Sequence, residues 1–345
     1  MTFNLDTVIS QSRMQTIHEF AAEHVIVATG PRAGLPFQPE KSLIAKHFWP
    51  VLFDTDLSRY DAYVITGPSQ CGKTLSGVVI PAIYILYYLQ ENIILAAPMV
   101  EIAGSKFSEE IFPILKSDPM LNALPLDRAN QTAPKMGVQS KVYHFRNGTN
   151  LRIMSTQSAD KGKASFTARN VFVTEFGGVR RVSTSEEADP IKQLMARTRA
   201  YSRIGTRFIL ESTGTVEGGM VDRYIKAGTQ GEVCCLCPGC EEWISPWRKD
   251  LVIPNGDPEQ AYIACPRCGF KITDEIRDRL IHGKTKLVEH APKSNIFSMS
   301  MSGFFNMFST IKLLAREEYE YERLPVGPQR EAKLRELCNF VWGEV

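Results

Sequence analysis

The chain is expected to fold as an α/β protein, a mostly parallel sheet with helices on both faces, and three observations carry that expectation. Apolar strand-like runs alternate with helix-compatible stretches along most of the 345 residues, as a parallel sheet with crossover helices requires. Residues 67 to 74 read Gly-Pro-Ser-Gln-Cys-Gly-Lys-Thr, a complete G-x-x-x-x-G-K-[ST] phosphate loop set between one such strand and one such helix. Two Cys-x2-Cys pairs late in the chain interrupt the alternation, which adds an inserted zinc knuckle to the sheet-bearing core.

The elements follow in order. The N-terminus, Met-Thr-Phe-Asn-Leu-Asp, places acidic and polar residues where an export signal needs a basic start and an apolar core. Core strands are predicted at 62–66, 93–97, 171–174 and 208–211. Helices are predicted at 74–89, 100–115 and 191–201. The longest apolar run, Val78 to Tyr88, has eleven residues and contains Pro81, too short for the ~20 that cross a bilayer. It reads as the buried helix behind the phosphate loop, kinked near Pro81. Between the second and third core strands, 142–145 and 151–154 flank Asn147-Gly148, whose tolerance of positive φ predicts a hairpin. Beyond the cysteines come a strand at 296–301 and charged helices at 310–323 and 329–340.

The phosphate loop suits a ligand with several negative charges, which needs many donors at short range. Gly67 and Gly72 let the backbone come close, and Pro68, Ser69, Gln70 and Cys71 complete the turn. Lys73 would reach the β and γ phosphates, the Thr74 hydroxyl would ligate Mg²⁺, and the following helix N-terminus would add partial positive charge. In a nucleotide-hydrolysing sheet the strand beside this loop normally ends in Asp-Glu, the Asp serving the Mg²⁺ shell and the Glu polarising the attacking water. Here the run is Asn170-Val171-Phe172-Val173-Thr174-Glu175. Glu175 takes the place of the water-activating carboxylate, while Thr174 stands where the Asp is expected and brings no charge. Another acid, Asp160 being nearest in sequence, is the alternative source of that charge.

Of eight cysteines, Cys237, Cys240, Cys265 and Cys268 form a C-x2-C-x24-C-x2-C array. Four thiolates at this spacing close a tetrahedron around Zn²⁺, and four filled positions indicate a structural metal, since catalytic zinc keeps one position open. Gly239 and Gly269 are expected to permit the tight turns, and Cys234 and Cys235 to be small buried residues. The net charge of +2 says little, but residues 135–207 hold fourteen Lys and Arg against five Asp and Glu. That excess suits a phosphate-rich partner, with an ordinary solvated basic face as the plain alternative.

In this order, the phosphate loop, the Glu175 strand and the cysteine array resemble the large terminase subunit of lambda-type tailed phages, a motor that packages DNA into a procapsid, over nearly the whole chain. Ala96-Ala97-Pro98, then Ala103, Phe107, Ile111, Pro113 and Ile114, and Asp118-Pro119 with Leu121, resemble the family's segment after its second core strand. Ser212-Thr213 resembles its coupling motif, which links hydrolysis to movement, although Gly214 stands where the family often has Pro. Tyr224, Cys237-Pro-Gly-Cys240 with Trp243, and Phe340-Val341-Trp342-Gly343-Glu344 extend the match.

The resemblance implies a RecA-like P-loop ATPase using ATP, Mg²⁺ and a structural Zn²⁺, and acting on double-stranded DNA. Its partners would be a small terminase subunit, a portal and procapsid, and further copies in a ring, in the host cytoplasm and with no membrane. Residues 1–60 would pack near the base, with Gln38 beside Phe37 as the base contact; 61–230 would form the ATPase core, 231–275 the zinc insertion and 276–345 the rest of the motor domain. A positive finger from a neighbouring subunit would be Arg197, Arg199 or Arg203, or Arg169 or Lys163 would act in cis. The family's nuclease lies beyond this point, as a further domain or a separate polypeptide, unless the protein is a motor alone. With no acidic cluster resembling a two-metal site, no DNA cleavage is expected of these residues. Two other classes fit the motifs less fully: a helicase-like DNA-dependent ATPase, which needs a second RecA-like domain, and a non-catalytic or weakly catalytic zinc-ribbon DNA-binding or assembly protein.

Overall fold

The computed structural model describes residues 15–124, 140–157, 166–179, 189–214 and 217–344. The central strands are β1 (Ala62–Gly67), β2 (Ile93–Ala97), the hairpin β3 (Ser140–His144) and β4 (Asn150–Ser155), β5 (Asn170–Thr174) and β6 (Arg207–Thr213). After them come β7 (Gly231–Leu236), the short β8 (Trp243–Ile244), β9 (Leu251–Val252), β10 (Tyr262–Ala264) and β11 (Lys271–Ile272), then β12 (Thr285–Glu289) and β13 (Ile296–Ser300). Ten strands make one sheet in the order β12-β7-β13-β1-β6-β5-β2-β4-β3, with β8 on β7. Every pairing from β7 to β4 in that order is parallel, and β3, β8 and β12 add antiparallel neighbours.

Strand periodicity builds two cores. Tyr63, Ile65, Leu95, Phe172 and Ile209 face one side, and Val64, Ile94, Val171, Val173, Phe208 and Leu210 the other. The first side is covered by the helical run 73–89, the run 100–117 and the helix Ile17–His24, which starts at Thr16 through a reciprocal bond pair with Glu19. Pro190–Met195 and Met220–Ala227 cover the second.

The helical run behind the phosphate loop contains Pro81, as expected, and absorbs it without breaking. The Ile80 N–H reaches back five residues to the Leu75 carbonyl, and the Ser76 carbonyl, left without a donor from Pro81, accepts from the Trp49 indole at 2.6 Å. In the β3–β4 hairpin only Gly148 is left-handed (φ +84); Asn147 contributes its side-chain oxygen to the Thr149 N–H at 3.1 Å.

Two placements differ from expectation. The strand ending at Thr174-Glu175 does not lie beside the phosphate-loop strand: β6 pairs with both β1 and β5 and separates them. All three strands are buried on both faces, so their patterning does not rank their neighbours. The chain also stays in the main sheet through β7 and returns to it at β8, and the antiparallel strands β9, β10 and β11 form a small sheet of their own.

Candidate nucleotide site

β1, β6 and β5 run parallel and end along one edge, the usual ligand edge of an open α/β sheet. A cleft of about 760 Å³ opens there, lined by Ser69 to Thr74 of the phosphate loop, by Glu175 after β5 and by Thr213 at the end of β6. Gln38 with Arg32, Lys106, and Met307 with Phe308 form its other walls. Gln70 (φ +56) and Gly72 (φ +85) take left-handed backbone, which turns the loop around the space a phosphate would fill.

The cleft's charges converge from three strands. Lys73 is 5% exposed; its Nζ donates to the Pro68 carbonyl at 3.0 Å and lies 4.0 Å from Glu211. Glu211 is completely buried: it accepts from the Thr174 hydroxyl at 2.6 Å and from the Thr74 hydroxyl at 3.3 Å. Glu175 follows with a left-handed backbone (φ +54) that aims it at the cleft. Burial, and next the charge of Glu211, push its carboxyl above the usual range, against the pull of Lys73 and Lys106. Lys106 loses some basicity to burial, but Glu110 at 3.0 Å, with Glu211 and Glu175 beyond, more than restores it. A threonine hydroxyl beside a carboxylate is an all-oxygen donor set, which fits a hard cation such as Mg²⁺.

The remaining sequence-derived residues fall as follows. Gln38 faces the cleft beside Phe37, and its side-chain oxygen accepts from Arg32 at 2.5 Å. Ser212 is buried and accepts from the Gly177 N–H at 3.2 Å, tying the end of β6 to the turn after Glu175. A Cβ on Gly214 would sit 2.4 Å from the Glu344 carbonyl oxygen, so the returning C-terminal segment leaves no room there for a larger residue. That segment also touches the phosphate loop, through the Ser69 N–H donated to the Phe340 carbonyl at 2.8 Å.

Arg169 is not a cis finger. It sits at the opposite end of the strands and binds Glu91 at 2.6 Å, which Arg207 also contacts at 3.3 Å; position 169 precedes its strand, whereas the cleft lies where strands end. Arg197, Arg199 and Arg203 do not line the cleft, while Asp160 and Lys163 lie outside the described residues. Sequence reasoning missed two groups, Lys106 and Glu211. The signal for Glu211 was an acid in phase with Ile209 on the inward face of a wholly buried strand.

The cysteine knuckle is a second, closed site. The sulfurs of Cys237, Cys240, Cys265 and Cys268 lie within 4.8 Å of one another, with 3.8 Å between Cys237 and Cys268 and 4.0 Å between Cys240 and Cys265. Zn–S bonds of ~2.3 Å in a tetrahedron give S···S edges of about 3.8 Å, so the cluster could hold a zinc. The two halves match: the Gly239 N–H donates to the Cys237 sulfur at 3.3 Å and the Arg267 N–H to the Cys265 sulfur at 3.4 Å. The expected role of Gly239 needs correction. Its backbone is not left-handed; a Cβ there would meet the Phe270 ring at 2.8 Å. The left-handed position of the first half is Glu241 (φ +58), matching Gly269 (φ +74) in the second. Cys234 and Cys235 lie buried on β7, and burial pushes their thiols up to about 11 and about 12, so they stay protonated.

Sheet order, phosphate loop and converging charges define the class of P-loop nucleotide-binding proteins. The family model described as phage terminase large subunit gpA, ATPase domain, matches residues 53–284, and the chain belongs to that family. Among solved structures, the large terminase ATPase domain of Thermus phage P74-26 is similar at 12% identity and a TM-score of 0.42, over 84% of this chain and 93% of that one. The large terminase of the thermophilic bacteriophage D6E is similar at 12% identity and a TM-score of 0.43 over 88% of this chain. The present chain spans about half (52%) of that protein's length. Among curated proteins none matches.

Proposed function

We propose that this chain is the ATP-hydrolysing motor of a terminase that drives double-stranded DNA into a procapsid. The observation that supports the reading is the convergence of Lys73, Thr74 and Glu175 on one cleft at the sheet's carboxyl edge, in a chain of the terminase ATPase family. Phosphate-loop amides cradle the triphosphate and Lys73 swings from the Pro68 carbonyl onto the β and γ phosphates. Glu175 holds and polarises the water for in-line attack. Held on Thr74, Mg²⁺ would neutralise charge on the phosphate oxygens. Gln38, able to donate and accept, contacts the base. The four thiols hold a structural zinc.

DNA contact would be to phosphates, sequence-independent and salt-sensitive. Within the basic segment Arg169 and Arg207 are engaged with Glu91, whereas Arg146, Lys192, Arg199 and Arg203 are exposed and available. A ring of copies, a small subunit and a portal complete the reading, in the host cytoplasm; no described helix is long and apolar enough to cross a membrane. The test is phosphate release with and without double-stranded DNA. The parent is expected to hydrolyse ATP faster with DNA, and Lys73→Ala to lose at least ~10²-fold. No hydrolysis by the parent, or hydrolysis that survives Lys73→Ala, overturns the reading.

A further inference from the structure

We propose that the carboxylate serving the Mg²⁺-bound nucleotide has moved one strand over: Glu211, on β6, supplies the negative charge that Thr174 lacks, and Thr174 is the positioning residue that holds it. The inference deepens the nucleotide site proposed above and rests on it. Parallel pairing sets Thr174 level with Glu211, and β6 lies between β5 and β1. A side chain from position 211 therefore starts one strand closer to Thr74 than one from position 174.

The two oxygens of Glu211 are held differently. Oε2 takes a short bond from Thr174 at 2.6 Å, which fixes the carboxylate plane, while Oε1 faces the loop with a long contact to Thr74 at 3.3 Å and Lys73 at 4.0 Å. The loosely held oxygen is thus the one beside the hydroxyl expected on the metal. A carboxylate buried this completely is strongly disfavoured unless its charge is balanced. One lysine at 4.0 Å and two neutral hydroxyls balance it in part, and a divalent cation on Thr74 would complete the balance. The same geometry explains Thr174: an Asp there would face Glu211 across a hydrogen-bonding distance, so hydroxyl and acid at 174 and 211 form an exchangeable pair.

The experiment titrates Mg²⁺ against binding of a fluorescent ADP, with melting temperature as the folding check. Glu211→Gln is expected to raise the Mg²⁺ midpoint ~10-fold or more, the usual scale for losing a group that orients a metal's shell. Thr174→Val raises it too, and Thr174→Ser, which keeps the hydroxyl, restores it. Thr174→Asp alone brings no gain, whereas Thr174→Asp combined with Glu211→Thr returns the midpoint to within ~3-fold of the parent, because the pair has only been exchanged. If Glu211→Gln fails to fold, Glu211→Asp reads the same midpoint with the charge kept and the reach shortened, and an unmoved value there counts against the proposal. An unmoved midpoint in a folded Glu211→Gln, with nucleotide binding intact, overturns this inference alone. A parent that binds no nucleotide at any Mg²⁺ concentration overturns the nucleotide site itself, and this inference with it.

Discussion

The nucleotide cleft and the cysteine knuckle are held in shape by different means. The cleft stands on strands that are buried end to end and on helices packed against both faces. Its left-handed residues, Gln70 and Glu175, each lie between the end of a buried strand and a following helical segment. The knuckle has strands of two or three residues and few buried side chains, chiefly Ile263, Ile272, Cys237 and Cys265, which join the core on the first face of the sheet. So little apolar surface would not stabilise the knuckle without the main core it packs on. Packing holds buried charges in the first region; in the second, a metal on the four thiols would add what short strands and few buried side chains do not.

The largest effect should therefore come from removing the metal. Purified protein is expected to hold about one zinc, and Cys265→Ser to lose it with a clear fall in melting temperature, since a structural zinc contributes ~10 kcal/mol or more of binding that is also folding free energy. Nucleotide binding should persist in that variant, because no knuckle residue lines the cleft. A metal-free protein of normal stability would break the comparison.

Glycine geometry sharpens it with smaller effects. Gly343 is left-handed (φ +70), and a Cβ there would lie 2.7 Å from the Pro68 nitrogen. Gly343→Ala is expected to cost about 1–3 kcal/mol and to weaken nucleotide binding together with stability, because the clash falls on the phosphate loop. Glu241→Gly relieves a left-handed side chain in the knuckle (φ +58) and should stabilise by about 0.5–1 kcal/mol without touching nucleotide affinity. Denaturant melts with parallel binding curves check both, and the account fails if Glu241→Gly shifts affinity or Gly343→Ala leaves it unchanged.

The difference in range also explains what could be read in advance. The phosphate loop occupies eight consecutive positions and each cysteine knuckle four, so their residues carry their spacing with them. The strands were legible from apolar runs, and the hairpin from Asn147-Gly148. Glu211 was not, because its meaning depends on β6 lying between β1 and β5, an order that strands buried on both faces do not encode. Arg169 was legible and misjudged: it precedes a strand whose other end carries Glu175, so the two lie at opposite ends of the sheet. What Gly239 provides was not legible, because it is room for Phe270, thirty-one positions on, rather than a left-handed turn.

Glu175 is proposed to direct the attacking water in the nucleotide cleft, and ATP binding measured beside phosphate release in Glu175→Gln tests that role most directly. The amide fits the same space but cannot take or direct the proton. The account expects binding within ~3-fold of the parent and hydrolysis reduced at least ~10²-fold, the scale of a lost general base. Phosphate release equal to the parent's, with binding intact, would contradict it.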